Sequence, residues 1–480
     1  IPGTDVALHH GILHCLIWND AIDRDYIAQY TENFAALKQL VLPYTPERVA
    51  GVCGIKKEAI ELAAQWWAQS PSVLSFYCMG LNQSSDGTNK NASLINLHLA
   101  TGQIGKVGAG PFSLTGQPNA MGGREVGGMA NLLSAHRNLA NPEHRAEVAK
   151  LWQVPDVPAQ AGKTAVEMFE AVREGKIKCI WIACTNPAHS MPDLTLVQEA
   201  LQKAELVVVQ DAYEHTETNA FADVLLPASS WAEKDGTVTN SERRISRVNA
   251  AIPAPAQARH DWDIVVDFAQ RLETRLPNRH LHGQSLFAYA DDTHSAANEK
   301  IFNEHRASTI GRDLDIGGIN YASLAQSPTQ WPCKTGDTVG LARLYTDGIF
   351  PTASGKAQFY AQEYHPPSEV PNARYPIRLL TGRLRDQWHT MTRTGSVGKL
   401  ANHAPEPLIT LHPADLARRS IKAGSLIKVS NKRGSVIMRC ESSDAMQPAC
   451  AFIPMHWGAR HLAGLGMNVL TNPAFDPISK

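Results

Sequence analysis

Apolar positions recur at helical spacing through most of residues 4 to 69. Val6 to Leu16 carries one apolar stripe and Asp25 to Leu40 another. Tyr44-Thr45-Pro46-Glu47 has the makings of a helix start, with Thr45 as N-cap and Pro46 at the first helical position. Lys56 to Gln69 is amphipathic and stops at Ser70-Pro71. The pattern then changes. Ser72 to Cys78, SVLSFYC, is a short apolar run rich in β-formers and predicts a buried strand. It leads into Met79-Gly80-Leu81-Asn82-Gln83, and a helix is expected over Lys90 to Thr101. Gly102 to Gly128 is dense in Gly and has no period. A structureless loop of that length is either functional or a flexible surface excursion, and Arg124-Glu125 among the glycines favours function.

Residues 163 to 226 repeat one pattern. A helix over Thr164 to Glu174 stops at Gly175, and an apolar strand, Lys178 to Ala183, ends in Cys184-Thr185-Asn186-Pro187. A second helix, Thr195 to Ala204, precedes a strand, Leu206 to Val209, that ends in Gln210-Asp211. Ala222 to Leu226 is a last short strand. Strand, helix and strand at this spacing predict right-handed crossovers and a parallel sheet. Ligands of such sheets sit beyond the carboxyl ends of the strands, where Met79, Gln83, Asn186, Gln210 and Asp211 all fall. Lys234 follows in an acidic, Gly-containing loop, and Asp261 opens a helix that runs to Leu272. Residues 274 to 370 are polar and irregular, as expected of a long wrapping connection.

From Tyr375 the texture is all-β with one short helix, Pro413 to Ser420. Strands are expected at Ile377 to Leu380, Ser425 to Ser430, Ser435 to Cys440 and Ala449 to Ile453, with a turn at 431–434. Short strands with crossing loops suggest a small closed barrel. After the first of them comes TGRLRDQWHTMTRTG, Thr381 to Gly395, with little that is apolar to bury. Thr and backbone N–H groups suit phosphate or a polar ring edge, Arg offers a planar fork of donors, and Trp388 a stacking face. The alternative is a solvated loop capped at Thr381.

Composition narrows the class. A chain of 480 residues implies two to four domains. With 43 % hydrophobic and 19 % charged residues it has the balance of a globular protein. No apolar run approaches the ~18 residues of a membrane span. A net charge of −1 gives no reason to expect nucleic acid or a membrane surface as partner. The eight Cys are scattered with no CxxC pair, which suits thiols of a reducing compartment and leaves no cluster of thiolates for iron–sulfur. The opening IPGTDVALHH shows no signal peptide and reads like the middle of a protein.

Thr381-Gly382-Arg383, Trp388-His389-Thr390 and Arg393 after a strand resemble the pterin-binding loop of the molybdopterin oxidoreductases that bind two guanine dinucleotide pterins. Met79 to Gln83, MGLNQ, and Trp231 to Arg244, WAEKDGTVTNSERR, fit the same family, and LTGQPNAMGGREVGG, Leu114 to Gly128, is similar to its nitrate reductase branch. The resemblance extends over the whole chain but lacks the family's N-terminal region, with its 4Fe–4S cysteines and molybdenum-ligating residue. The sequence also ends, at Asp476 to Lys480, inside a segment that continues in relatives.

The resemblance implies a fold and a site. The fold is α/β: a helical remainder of a preceding domain at 1–70, a Rossmann-like domain at 71–370, and a double-psi β-barrel at 371–480. The cofactor would be molybdenum bis(molybdopterin guanine dinucleotide), with 4Fe–4S in the full-length protein only. Met79, Gln83, Asn186, Gln210, Asp211, Lys234 and Asp261 would contact the dinucleotide from the sheet. Asp211 or Asp261 could accept from guanine N–H groups or a ribose hydroxyl, and Lys234 could meet a phosphate. Thr381, Gly382, Arg383, Trp388, His389, Thr390, His456 and Asn468 would contact it from the barrel. The alternatives are turn and capping roles for Asn186 and Asp211, and a satisfied interior imidazole for His456. Arg124 would lie in the substrate funnel and grip planar nitrate through paired N–H donors, its alternative being a surface pair with Glu125. No residue of this chain is assigned to the metal.

The complete enzyme would resemble a cytoplasmic, assimilatory nitrate reductase catalytic subunit. Nitrate would yield an oxygen atom to molybdenum, with electrons from an unidentified donor protein. The chain on its own would be inactive. Other expectations are a periplasmic nitrate reductase, a formate dehydrogenase, or a noncatalytic nucleotide-binding scaffold.

Overall fold

The computed structural model describes residues 1–276, 285–289 and 294–479. The N-terminal helices form where their stripes predict, except that the stripe over Asp25 to Leu40 is broken into helices Arg24–Tyr30 and Phe34–Val41 by Thr31–Glu32, which pairs with Ala357–Gln358. Asp5–Trp18 is so apolar that it is enclosed by its neighbours, with Leu13 and Leu16 fully buried. Helices Pro46–Cys53 and Lys57–Gln69 pack on it, and Thr45 caps the first by accepting from the Arg48 N–H. Strand β1, Leu74–Tyr77, pairs in parallel with β2, Gly110–Ser113, and helix Gly87–Ala100 between them returns onto Asp5–Trp18. One apolar core joins these helices to Leu94, Leu97 and Leu99 and to Ala357 and Phe359 far along the chain. Packing therefore runs through position 70. We propose that the first unit extends through β2 rather than ending there.

The second core belongs to β3, Cys179–Ala183, β4, Leu206–Asp211, and β5, Val224–Pro227, a parallel sheet in that order. Helix Ala165–Arg173 enters it through a capping box between Thr164 and Glu167. Val207 and Val209 face the helices and are buried with Ile180, Ile182 and Val197. This corrects one expectation: β1 is not a member of this sheet. Met79 and Gln83 follow a strand of one sheet, whereas Asn186, Gln210 and Asp211 follow strands of another.

Two further expectations change. Gly102 to Gly128 is not structureless, because β2 and helix Ala120–Glu125 lie within it. Residues 274 to 370 are not merely a wrapping connection where described. Helices His294–Thr309 and Tyr321–Gln326 share a core of Phe302, Leu314, Ile316, Ile319 and Trp331 with Ile245. That core supports the hairpin of β6, Gly236–Thr239, and β7, Arg244–Val248.

The C-terminal unit is a five-stranded sheet with crossed connections. Its strands are β8, Arg378–Gly382, β9, Leu408–Leu411, β10, Leu426–Ser430, β11, Ser435–Ser442, and β12, Cys450–Pro454. They are ordered β8-β12-β9-β11-β10, with β8–β12 and β9–β11 parallel and the other two pairs antiparallel. Ile409, Val436, Met438 and Ile453 fill the interior. β9 is a strand that the alternation did not reveal.

Candidate functional site

Beyond the carboxyl ends of β3 and β4, three side chains converge on one carboxylate. Asp261, at the first turn of helix Asp261–Glu273, accepts from Gln210 Nε2 at 2.8 Å and from the Cys184 thiol at 3.3 Å, both on Oδ1. Lys234 Nζ donates to Oδ2 at 3.0 Å. Burial works against this charge, but Lys234 and Gln210 outweigh it and hold the carboxyl below its usual range. Asp211 lies alongside, half-buried, accepting from the Tyr213 N–H at 2.9 Å and from the Ala212 backbone. Burial raises its carboxyl, and the Asp261 charge adds to that rise.

Beneath this rim lies a buried floor. Asn186 Nδ2 donates to Glu217 at 2.7 Å, and Asn186 Oδ1 accepts from Thr218 N and Oγ1 at 3.1 and 2.7 Å. His189 Nδ1 stands 3.4 Å from Glu217 Oε1, while its Nε2 donates to Met455 O at 3.0 Å. Burial alone would raise Glu217, but the contacts from His189 and Asn186 prevail and hold it down at about 2. Gly458 of the barrel packs so closely here that a methyl in its place would meet His189 Nδ1 at 2.2 Å. Asn468 Nδ2 donates to His189 O at 2.9 Å, which closes the contact between sheet and barrel.

The polar loop after β8 projects over this junction. His456, fully buried, holds it from below: Nε2 accepts from the Leu384 N–H at 2.9 Å and Nδ1 donates to His389 O at 2.7 Å. Those partners fix the neutral Nδ1–H tautomer, and burial lowers the imidazole's basicity in the same sense. Trp388 has Arg393 and Arg383 as cation–π partners, 4.5 and 5.8 Å from its ring centroid. Arg393 Nε also donates to Tyr213 OH at 3.1 Å, so the loop reaches the segment after β4. Thr381 and Arg383 are exposed, and Gly382, His389 and Thr390 are half-buried beside them.

Arg124 comes from the Gly-rich stretch. A methyl at Gly116 would stand 3.3 Å from Arg383 Nη1, which puts that stretch against the barrel loop. Glu125 turns the other way and is buried, accepting from Thr239 Oγ1 at 2.8 Å and Trp331 Nε1 at 2.5 Å. The Arg124–Glu125 surface pair is thereby excluded. Arg124 is exposed, and its charge offsets part of the burial-driven rise of the Tyr77 phenol at the end of β1. Gly127 permits the turn that separates the two side chains, with φ +83° and a Cβ that would collide with the Leu133 backbone at 2.6 Å.

The sequence-derived set therefore splits. Asp211, Lys234, Asp261, Thr381, Arg383, Trp388 and Arg124 keep exposed or partly exposed polar or aromatic groups. Met79 and Gln83 lie in and at the end of the short turn that follows β1. Three residues expected to contact the ligand already have partners within the protein. Asn186 is committed to Glu217 and Thr218, His456 has both ring nitrogens engaged in the loop, and Asn468 bonds the His189 carbonyl. Through these bonds the three tie neighbouring segments together. Gln210 is buried and reaches the rim only through Asp261. The sequence reading missed Glu217, Tyr213 and Cys184; the placement of Cys184 directly after β3 was the available signal for the last.

The donor set fits a guanine dinucleotide pterin. Two carboxylates suit a guanine edge or ribose, and Lys234, Arg383 and Arg393 suit a pyrophosphate. Trp388 offers a face for a flat ring. Gln210 Oε1, buried without a hydrogen-bond partner among the described residues, marks an unfinished polar site.

Comparison with known proteins agrees. Residues 1–271 match the family model "Molybdopterin oxidoreductase" and residues 377–480 match "Molydopterin dinucleotide binding domain". The chain is 41 % identical to a nitrate reductase of Synechocystis sp., over all of this chain and 66 % of that protein. It is 32 % identical to an F420-dependent formate dehydrogenase 1 subunit alpha of Methanococcus maripaludis, over all of this chain and 67 % of that protein. The chain spans 53 to 66 % of the length of the nitrate reductases it matches first. Among solved structures, acetylene hydratase from Pelobacter acetylenicus superposes with a TM-score of 0.69 at 17 % identity, covering 99 % of this chain and 67 % of that one. That likeness bears on the fold: α/β with a parallel sheet and a C-terminal barrel of the double-psi kind. The chain belongs to the molybdopterin oxidoreductase family, whose cofactor is a molybdenum-bearing guanine dinucleotide pterin.

Proposed function

We propose that this chain supplies the dinucleotide cradle and the substrate-facing arginine of a molybdenum nitrate reductase. The observation that carries the reading is the separation of Arg124 from Glu125. Glu125 is locked inward by Thr239 and Trp331, which leaves the Arg124 guanidinium unpaired among the described residues and close to the end of β1. A planar fork of N–H donors matches two oxygens of a planar anion. The 41 % identity to a nitrate reductase favours nitrate as that anion.

In this reading Asp261 and Asp211 hold the purine edge or ribose, Lys234 and Arg383 meet phosphate oxygens, and Trp388 covers a ring face. Asn186, His456 and Asn468 keep the sheet ends and barrel loop in register. The bound cofactor supplies two-electron oxygen-atom chemistry, so that nitrate, two protons and two electrons give nitrite and water. The electrons come from a donor protein, and scattered thiols support a cytoplasmic setting. No helix among the described residues is long and apolar enough to cross a membrane.

The test is Arg124→Lys in the enzyme bearing the further length its relatives carry. Losing a charge-assisted hydrogen bond of roughly 1.5–3 kcal/mol predicts a fall of about ten- to a hundredfold in kcat/KM for nitrate. Molybdenum and pterin content should stay unchanged. Normal nitrate kinetics per bound molybdenum would remove Arg124 from the site. Formate oxidation without nitrate reduction would favour the formate dehydrogenase reading, to which the relative at 32 % identity points. Absence of both pterin and molybdenum would favour the scaffold.

A further inference from the structure

Cys184 has no role in the reading above, yet it occupies a lone pair of the most connected carboxylate in the site. It closes β3 with φ 58°, a left-handed conformation uncommon for residues other than Gly, and its N–H donates to Gln210 O at 2.8 Å. That backbone turn aims the thiol at Asp261 Oδ1, 3.3 Å away. Gln210 Nε2 holds the same oxygen and Lys234 the other. A carboxylate has about four lone-pair sites, so this chain's own donors fill three of them.

The three donors are unequal. Gln210 is 2 % exposed and its Oε1 has no partner, so its amide is held in the rim by the Asp261 bond. Lys234 brings a full charge. The thiol is a weak donor on a residue with exposed surface, so an incoming N–H would displace it first. Loss of the thiol would free a site on Oδ1, next to the lone pair left on Oδ2. Two adjacent acceptors on one carboxylate match a ligand edge with a ring N–H beside an amino group.

We propose that Cys184 is a stand-in donor for the ligand: its S–H orients Asp261 when the site is empty and yields that oxygen to the paired N–H groups of a guanine edge. This rests on reading the site as a dinucleotide cradle. Cys184 is a positioning residue here, and no bond is made or broken at sulfur. Its thiol, pushed up to about 12 by burial and by Asp261, is inert while the contact lasts.

Infrared difference spectroscopy of the S–H stretch reads the handover directly, with the Cys184 band assigned by its disappearance in Cys184→Ser. Guanosine 5′-monophosphate, shown to bind by calorimetry, should move that band to higher wavenumber, as expected of a thiol that loses its acceptor. Adenosine 5′-monophosphate, which lacks the paired donors, should not. Guanosine monophosphate bound with the band unmoved would overturn the handover and leave the cradle standing. Failure of guanosine monophosphate to bind would overturn both. An equal shift with adenosine monophosphate would overturn the match to a guanine edge. In a separate arm, Asp261→Asn should speed iodoacetamide labelling of Cys184 about tenfold relative to exposed Cys179, because an acid neighbour no longer suppresses the thiolate. An unchanged rate would show that Asp261 does not control the thiol.

Discussion

The rim and the floor of the site are built from neighbouring residues to opposite ends. The floor joins Asn186, His189, Glu217 and Thr218 to Gly458 and Met455 of the barrel, and its polar side chains are buried, with Asn186 bonded to Glu217 and Thr218 and His189 bonded to the Met455 carbonyl beside Glu217. The rim joins Cys184, Gln210, Lys234 and Asp261, with Asp211 beside them, and it is partly exposed, with acceptor sites left over. Only one residue, Thr185, separates Cys184 from Asn186. Short loops after parallel strands thus supply both the clamp between domains and the surface offered to a ligand. Position in the motif does not tell which; the number of filled hydrogen-bonding sites does.

That distinction is breakable by mutation. The largest effect is expected at the floor. Glu217→Ala leaves Asn186 and His189 without their buried partner, and breaking such a pair costs about 3–5 kcal/mol. Denaturant unfolding should show that loss, and a cost below about 1 kcal/mol would place Glu217 functionally in the rim.

His456→Ala should follow. It leaves the Leu384 N–H and the His389 carbonyl without their buried partner, a penalty of about 1–3 kcal/mol for each unsatisfied group. Amide exchange should accelerate across 384–393 while β3 and β4 stay protected. Uniform acceleration in both domains would mean that the loop is not separately held.

Acid should dismantle the two supports in sequence. His456 has a depressed basicity when folded, so the unfolded chain takes up the proton first. Its stabilisation is complete above the ordinary value of 6.5 and declines as pH falls below it. Glu217 is depressed from 4.5 to about 2, so its contribution persists to about pH 4.5 and is lost on the way to about 2. Barrel-loop exchange should therefore rise at a higher pH than the contact between sheet and barrel is lost. Simultaneous loss would merge the two supports into one.

The smallest stability effect is expected at Arg124. Its side chain is exposed and unpaired among the described residues, so Arg124→Ala should change unfolding free energy by less than about 0.5 kcal/mol. A larger loss would mean that it braces the fold, and would weaken its assignment to substrate.

Local interactions were legible in the chain. Most helices up to residue 69 follow from their stripes, the break at Thr31–Glu32 excepted, and the caps at Thr45 and Thr164 from residues three positions apart. The parallel sheet of β3 to β5 follows from alternating strand and helix patterns, and the family from motifs that lie within short stretches. Composition also marked the loop after β8 as polar, and that loop stays largely outside the core.

Tertiary structure alone decided the rest, because the deciding partners are distant in sequence. Glu125 is drawn inward by Trp331, 206 positions away, and that contact leaves Arg124 free. β1 pairs with β2 and not with β3, since the helix after β1 shares its core with the N-terminal helices. His456 grips a loop some seventy residues earlier, and Asn468 reaches His189 across the two domains. A side chain's residue type states which bonds it can make. Whether those bonds are already taken depends on what the fold brings alongside, and that separates a residue that holds the site from one that faces its ligand.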